Sequence, residues 1–196
     1  MSHRPTMITP RLVLRPFAAE DAPHVQRLAG AREVAATTLN IPHPYPDGEA
    51  EAWIARQAAA TAEGREAAFA IFKRAGNVLI GAIGLRIEPG HQRAELGYWV
   101  GVPYWGQGYC TEAARAVIRH GFQELGLHRI HASHFGDNPA SGRVMQKLGM
   151  VYEGRRREHI HKWDRFHDLE DYALLANEWR LGAGEGPREP DPAEPA

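Results

Sequence analysis

The segment Glu95 to Ala114, ELGYWVGVPYWGQGYCTEAA, passes from a strand-like run through a glycine-bearing loop directly into a helix-forming stretch. Such a junction binds anions. The first amides of a helix have no partner within it and lie at its positive end, so the N–H groups of Gln107, Gly108, Tyr109 and Cys110 would point at a phosphate or pyrophosphate. Gly106 and Gly108 let the backbone come close to that ligand. Two better-known phosphate loops are excluded. A P-loop needs Gly-Lys-Ser/Thr where this chain has Gly106-Gln107-Gly108, and a dinucleotide fingerprint needs a third glycine where Thr111 stands, in a parallel βαβ unit. On spacing alone, an ordinary tight turn stays equally open.

About thirty residues on, Asn138 to Gly149 reads NPASGRVMQKLG, a short helix with an asparagine cap, a first-turn proline and a C-terminal glycine. A capped helix needs no functional explanation; its pairing with the anion loop does. Cys110 at a helix start could carry a depressed pKa and act as a nucleophile, but no histidine partner is assignable and a small packing role is preferred. Among the eleven histidines, His128, His131 and His134 follow a spacing of three that alternates faces of a strand. His159 and His161 share a face with His167 or Asp168 in reach, yet there is no HExxH and no cysteine ligand set. No metal is expected, and these histidines read as solvated or substrate-facing. The aromatic residues Trp53, Tyr98, Trp99, Trp105 and Tyr109 divide between core and pocket wall.

The elements that must carry these residues follow from periodicity. Residues 8 to 17 alternate as a strand with Leu12 and Leu14 on one face, and a helix ends near Gly30. The proline-rich stretch 40 to 48 is a loop, after which Asp47 caps a helix reaching about Gln57 that buries Trp53 and Ile54. Residues 67 to 100 form three antiparallel strands broken by AGN and EPGHQ. A helix over 111 to 125, capped by Thr111, is followed by a strand from Arg129 to Phe135, the Asn138 helix, and strands near Val151 to Arg157 and Asp168 to Leu175. The class is α+β, with about seven strands and about four helices.

The chain has 196 residues, 43% hydrophobic and 24% charged, which suits one globular domain with a full core. A single cysteine excludes an internal disulfide, and neither a membrane span nor a secretion signal is visible, so the cytoplasm is the expected location. Residues 182 to 196, GAGEGPREPDPAEPA, carry a net −3 and are expected to be a disordered tail on a domain spanning 1 to 181. The overall charge of −1 thus leaves the domain at +2, which argues against bulk nucleic-acid binding.

Taken together, AELGYWV, PYWGQGYCTEA and NPASGRVMQKLGM, with an opening TPRLVLRP and a closing HDLEDYALLANEW, resemble the GNAT N-acetyltransferase superfamily, in particular its RimJ/RimL branch. The resemblance covers about residues 8 to 180 and implies an α+β fold with a mixed, splayed, mostly antiparallel sheet, and acetyl-CoA as co-substrate. It puts the pyrophosphate on Gln107, Gly108, Tyr109, Cys110 and Thr111, and lays the pantetheine arm like an extra strand along Leu96, Gly97, Tyr98, Trp99 and Val100. Asn138 would touch that arm and Ser141 would lie near its sulfur. The family often has Gly or Ala where Cys110 stands. Many members carry a tyrosine as acid at the position of Met145, so the acid is unassigned here, with Ser141 the nearest candidate.

The implied reaction is attack of a neutral amine on the thioester in a ternary complex, with Glu95 as base through water and Ser141 hydrogen-bonding the departing sulfur. For Glu95 a solvated strand residue or structural ion pair stays open, and a strand N–H near Leu96 to Tyr98 could steady the oxyanion. The expected acceptor is a protein or peptide N-terminus, ribosomal proteins included, with the His43 to Pro46 loop admitting it. The partners expected are acetyl-CoA and that acceptor, with no nucleic acid or membrane, on a monomer or homodimer. A catalytically idle CoA-binding module, a small-molecule amine acetylase and a metal-dependent hydrolase are the competing readings.

Overall fold

The computed structural model describes residues 5–182. Residues 183–196, and with them nearly all of the expected tail, lie outside the described residues. Eight strands form one sheet in the order β1-β2-β3-β4-β5-β6-β8-β7. The extra strand arises at the start. Residues 8 to 17 do not run straight: β1 (Met7–Ile8) turns back on β2 (Leu12–Arg15) through Thr9, whose hydroxyl accepts the Leu12 amide at 3.0 Å.

After α1 (Ala22–Ala29) comes a five-residue α2 (Arg32–Ala36), then α3 (Glu49–Ala62). The cap of α3 is Gly48, with φ +78°, and not Asp47. The meander is β3 (Glu66–Lys73), β4 (Val78–Glu88) and β5 (Arg93–Val100), with turns where the sequence placed them. Then follow α4 (Tyr109–Gln123), β6 (Arg129–Phe135), α5 (Pro139–Lys147), β7 (Val151–Lys162), β8 (Arg165–Leu175) and α6 (Ala176–Gly182). Thr111 does not cap α4; Gly108 does, and Thr111 falls in the first turn. Asn138 caps α5 as read, its side-chain oxygen accepting the Ser141 amide at 3.3 Å.

Strand alternation sends apolar residues to both faces, so the sheet has a core on each side. Leu12, Leu14, Ile71, Leu85 and Ile130 pack with Val117 and Ile118 of α4 and Met145 of α5. On the other face Ala70, Phe72 and Leu79 meet Val25 and Leu28 of α1 and Ile54 of α3. Among the described residues no helix is long and apolar enough to cross a membrane.

One pairing differs from all the others. β5 and β6 run parallel and are in register only at Arg93 with Arg129, Ala94 with Ile130 and Glu95 with His131. Beyond that rung they part, because β6 follows β8 while β5 follows β4. A sheet that splits this way leaves two facing edges with unpaired backbone groups.

Candidate active site

The loop and helix start are built as an anion cradle. Gly106 and Gly108 hold φ of +72° and +79°, values that favour glycine. The first helical bond of α4 runs from the Glu112 amide to the Gly108 carbonyl, so the amides of Tyr109, Cys110 and Thr111 have no acceptor within the helix. Arg11, in the bend between β1 and β2, braces the loop from outside. Its guanidinium donates to the Gln107 carbonyl at 3.0 Å and to Glu112 at 2.6 Å, and lies 4.6 Å from the centre of the Tyr109 ring. Burial alone would raise the Glu112 carboxyl, but bonds from the Thr9 hydroxyl and from the Arg11 amide and side chain hold it below the usual carboxylate range.

The split supplies the second part. Leu96 to Val100 pair with β4 on one side and have no strand partner on the β6 side. An extended molecule with spaced amides, such as the pantetheine arm of CoA, matches such an edge, and the cradle at its end matches the pyrophosphate. The Trp105 indole, donating to the Val100 carbonyl, ties the loop to the end of this edge. The residues present therefore fit CoA.

A cavity of about 860 Å³ passes through the split. Glu95, Gly97, Trp99, His131 and Ser133 line it from the α1/α3 face, and Tyr98 and Ser141 from the α4/α5 face. Its floor is kept low by Ala68, Gly84 and Gly97, and a Cβ at Gly97 would meet open space. Thr37 to Pro42 and Tyr45 wall its outer side, joined by Trp53. The amine of Lys162, at the end of β7, holds that wall by donating to the Ala35 carbonyl at 2.7 Å and to the Thr38 carbonyl.

Charge is arranged in rows. Glu66, Arg86, Glu95 and His131 are successive register partners across β3 to β6, and Arg86 bonds Glu95. Burial raises the Glu66 carboxyl, with Arg86 and Arg65 opposing. Burial also lowers His131 against the pull of Glu95, which keeps its ring neutral near pH 7. Across the gap Asp171 accepts from Ser133 at 2.6 Å and from Arg156 at 2.7 Å, and those bonds outweigh burial to hold it below its ordinary value.

At the cofactor end, the Tyr98 hydroxyl lies 2.7 Å from Ser141 Oγ. Burial pushes the Cys110 thiol up to about 12, which leaves no thiolate for a covalent relay and supports the packing role. Met145 is 1% exposed in the core and has no proton to give. Among the described residues no three His, Cys, Asp or Glu side chains are close enough to hold a metal ion.

Local sequence reasoning missed Arg11, Lys162, the pairing of His131 with Glu95 and the contact of Tyr98 with Ser141. Arg11 and Lys162 act across about a hundred residues of chain and leave no short-range signal. The His131 role follows from its register with Glu95 across β5 and β6, and the Tyr98 role from the seating of α5 against β5, neither of which emerges before the fold.

The chain matches the family described as acetyltransferase (GNAT) domain over residues 11–151. It is 33% identical over 176 residues to the uncharacterized N-acetyltransferase YnaD of Bacillus subtilis, covering 87% of this chain and 97% of that one. Over 108 residues, 55% of this chain and 60% of the relative, it is 36% identical to the ribosomal-protein-serine acetyltransferase of Escherichia coli. The crystal structure of a GNAT-family acetyltransferase from Bacillus anthracis superposes with a TM-score of 0.79 at 27% identity, covering 89% of this chain and all of that one. With a loop and a strand edge that suit CoA and a cavity through the sheet between them, the chain belongs to the GNAT family and is an acetyl-CoA-dependent N-acetyltransferase.

Proposed function

We propose that the acceptor is the α-amine of a protein or peptide N-terminus, acetylated by direct attack in a ternary complex. The observation that carries this reading is the cavity of about 860 Å³ through the split sheet, more room than a small amine requires. The E. coli relative named for ribosomal-protein serine points the same way. An α-amine also suits the available chemistry. With pKa near 8 it is roughly 10% neutral at pH 7, whereas a lysine near 10.4 is neutral to only about 0.04%, so the site need supply little basicity.

In this reading the amine enters from the α1/α3 side and the thioester from the α4/α5 side. Arg86 occupies Oε2 of Glu95, leaving Oε1 to take the amine proton through water. The neutral ring of His131 adds no positive charge where an amine must lose its own. Gln107, Gly108, Tyr109, Cys110 and Thr111 hold the pyrophosphate, Leu96 to Val100 align the arm, Asn138 flanks it, and Ser141 faces the sulfur. A strand amide near Leu96 to Tyr98 steadies the carbonyl oxygen.

The test is thiol release from acetyl-CoA with a panel of peptides bearing free N-termini, set against Nα-blocked, lysine-containing versions and against small amines. Release with the free N-termini alone is expected. Release with blocked peptides or small amines alone would move the acceptor elsewhere, and CoA binding without turnover on any of them would make the chain a non-catalytic CoA module.

A further inference from the structure

Ser141 sits in the first turn of α5, and its Oγ lies 2.7 Å from the Tyr98 hydroxyl. Either oxygen could donate, but the two are unequal. A phenol is by far the stronger acid and a serine oxygen the better acceptor, so the phenol hydrogen goes to Oγ. The alternative acceptor for Tyr98, the Ser141 carbonyl, is 3.4 Å away, at the limit of a hydrogen bond. Once the phenol donates, the serine hydrogen must point elsewhere, and the cavity is where both side chains face. Burial raises the Tyr98 phenol above its ordinary value, so it remains a donor throughout the neutral range.

We propose that Tyr98 is a positioning residue for sulfur departure: by donating to Ser141 Oγ it fixes the serine rotor so that the Ser141 hydrogen bonds the leaving sulfur. The inference rests on the proposed placement of the thioester sulfur beside Ser141. As the amine forms the C–N bond, its surplus proton leaves toward Glu95. The C–S bond breaks with its electron pair on sulfur, the sulfur accepts the Ser141 hydrogen bond, and it gains a proton from solvent on release. Tyr98 and Ser141 both keep their protons. The two bonds in series polarise one another, so the second is stronger than a lone serine would provide.

The titration of the CoA thiol bound to the full-length protein tests this without any acceptor. Thiolate formation is followed by ultraviolet absorbance, with the desulfo-CoA complex as blank so that Tyr98 and Cys110 cancel. In the wild type the bound thiol is expected to be about tenfold more acidic than free CoA, and Tyr98→Phe to give back about threefold or more of that. Ser141→Ala should remove the whole effect and render Tyr98→Phe silent in its background, each titration being run at CoA concentrations that calorimetry shows to saturate that variant. Superimposable titrations for wild type and Tyr98→Phe would overturn the proposal, as would independent, additive losses in the double variant. Should Tyr98→Phe lose CoA, wild type against Ser141→Ala decides alone, and equal thiol acidity in those two overturns it. Failure to find a peptide acceptor leaves this readout intact, whereas absence of CoA binding in the wild type removes the site reading itself.

Discussion

Glu95 occupies the last rung before the strands part, and its Arg86 partner is exposed, so the pair is screened and contributes little to stability. Its value lies in position. Glu95→Gln keeps the shape and removes the proposed proton acceptor, and turnover at neutral pH should fall by about 10²-fold with acetyl-CoA affinity nearly constant. The loss should shrink as pH rises toward about 9, where solvent has already deprotonated an α-amine. A pH–rate series for both proteins measures this, and full activity of Glu95→Gln at pH 6.5 would return the residue to a structural ion pair. The identity of Glu95 as a strand carboxylate was readable from the sequence, because alternation and turn residues delimit β5 unambiguously. Its Arg86 partner was not, since cross-strand pairing depends on a register that no local pattern encodes.

The elements were legible where local chemistry agrees with tertiary context, as in the Asn138 cap with its first-turn proline and the glycine-punctuated meander. They were illegible where an element is short or held from afar. α2 has five residues and no side-chain cap, and its C-terminal carbonyl is satisfied by Lys162 from another part of the chain. The seating of α5 on β6 belongs to this scale. A Cβ at Gly142 would stand 2.7 Å from His134 Nε2. That ring cannot yield, because Nδ1 donates to the Phe135 carbonyl at 2.7 Å and the ring stacks on Tyr172 at 5.7 Å. Gly142→Ala must therefore lift α5, at a cost of about 1–3 kcal/mol, and carry Ser141 away from Tyr98. Thermal melts should show the destabilisation and kinetics a lowered kcat; an unchanged melt would mean the helix has slack that the packing denies it.

Stability of the whole molecule is tied to pH through the joint between its first strands and α4. Glu112 is held below the ordinary carboxylate range in the folded protein, so its contribution is complete above the unfolded value near 4.3 and is lost as pH falls through the folded one. Glu112→Gln should cost about 1–2 kcal/mol at pH 7, a figure moderated by the 47% exposure of Arg11, and the deficit should narrow progressively below about pH 4. Denaturant midpoints for both proteins across that range check it, and a deficit that stays constant down to pH 2 would rule out the carboxylate as its source.

The split between β5 and β6 makes the sheet itself a partition with a slot in it, and the proposed function puts the cofactor on one side and the acceptor on the other. On the proposed placement, neither reactant has to leave before the other arrives, because they do not share a doorway. A molecule made by covalently joining the two, acetyl group included, would be threaded through the partition like a bolt through a plate. It could escape only by sliding lengthwise past the Glu95–His131 rung, so its grip would exceed the sum of its halves and its release would be governed by how far two strands can spread.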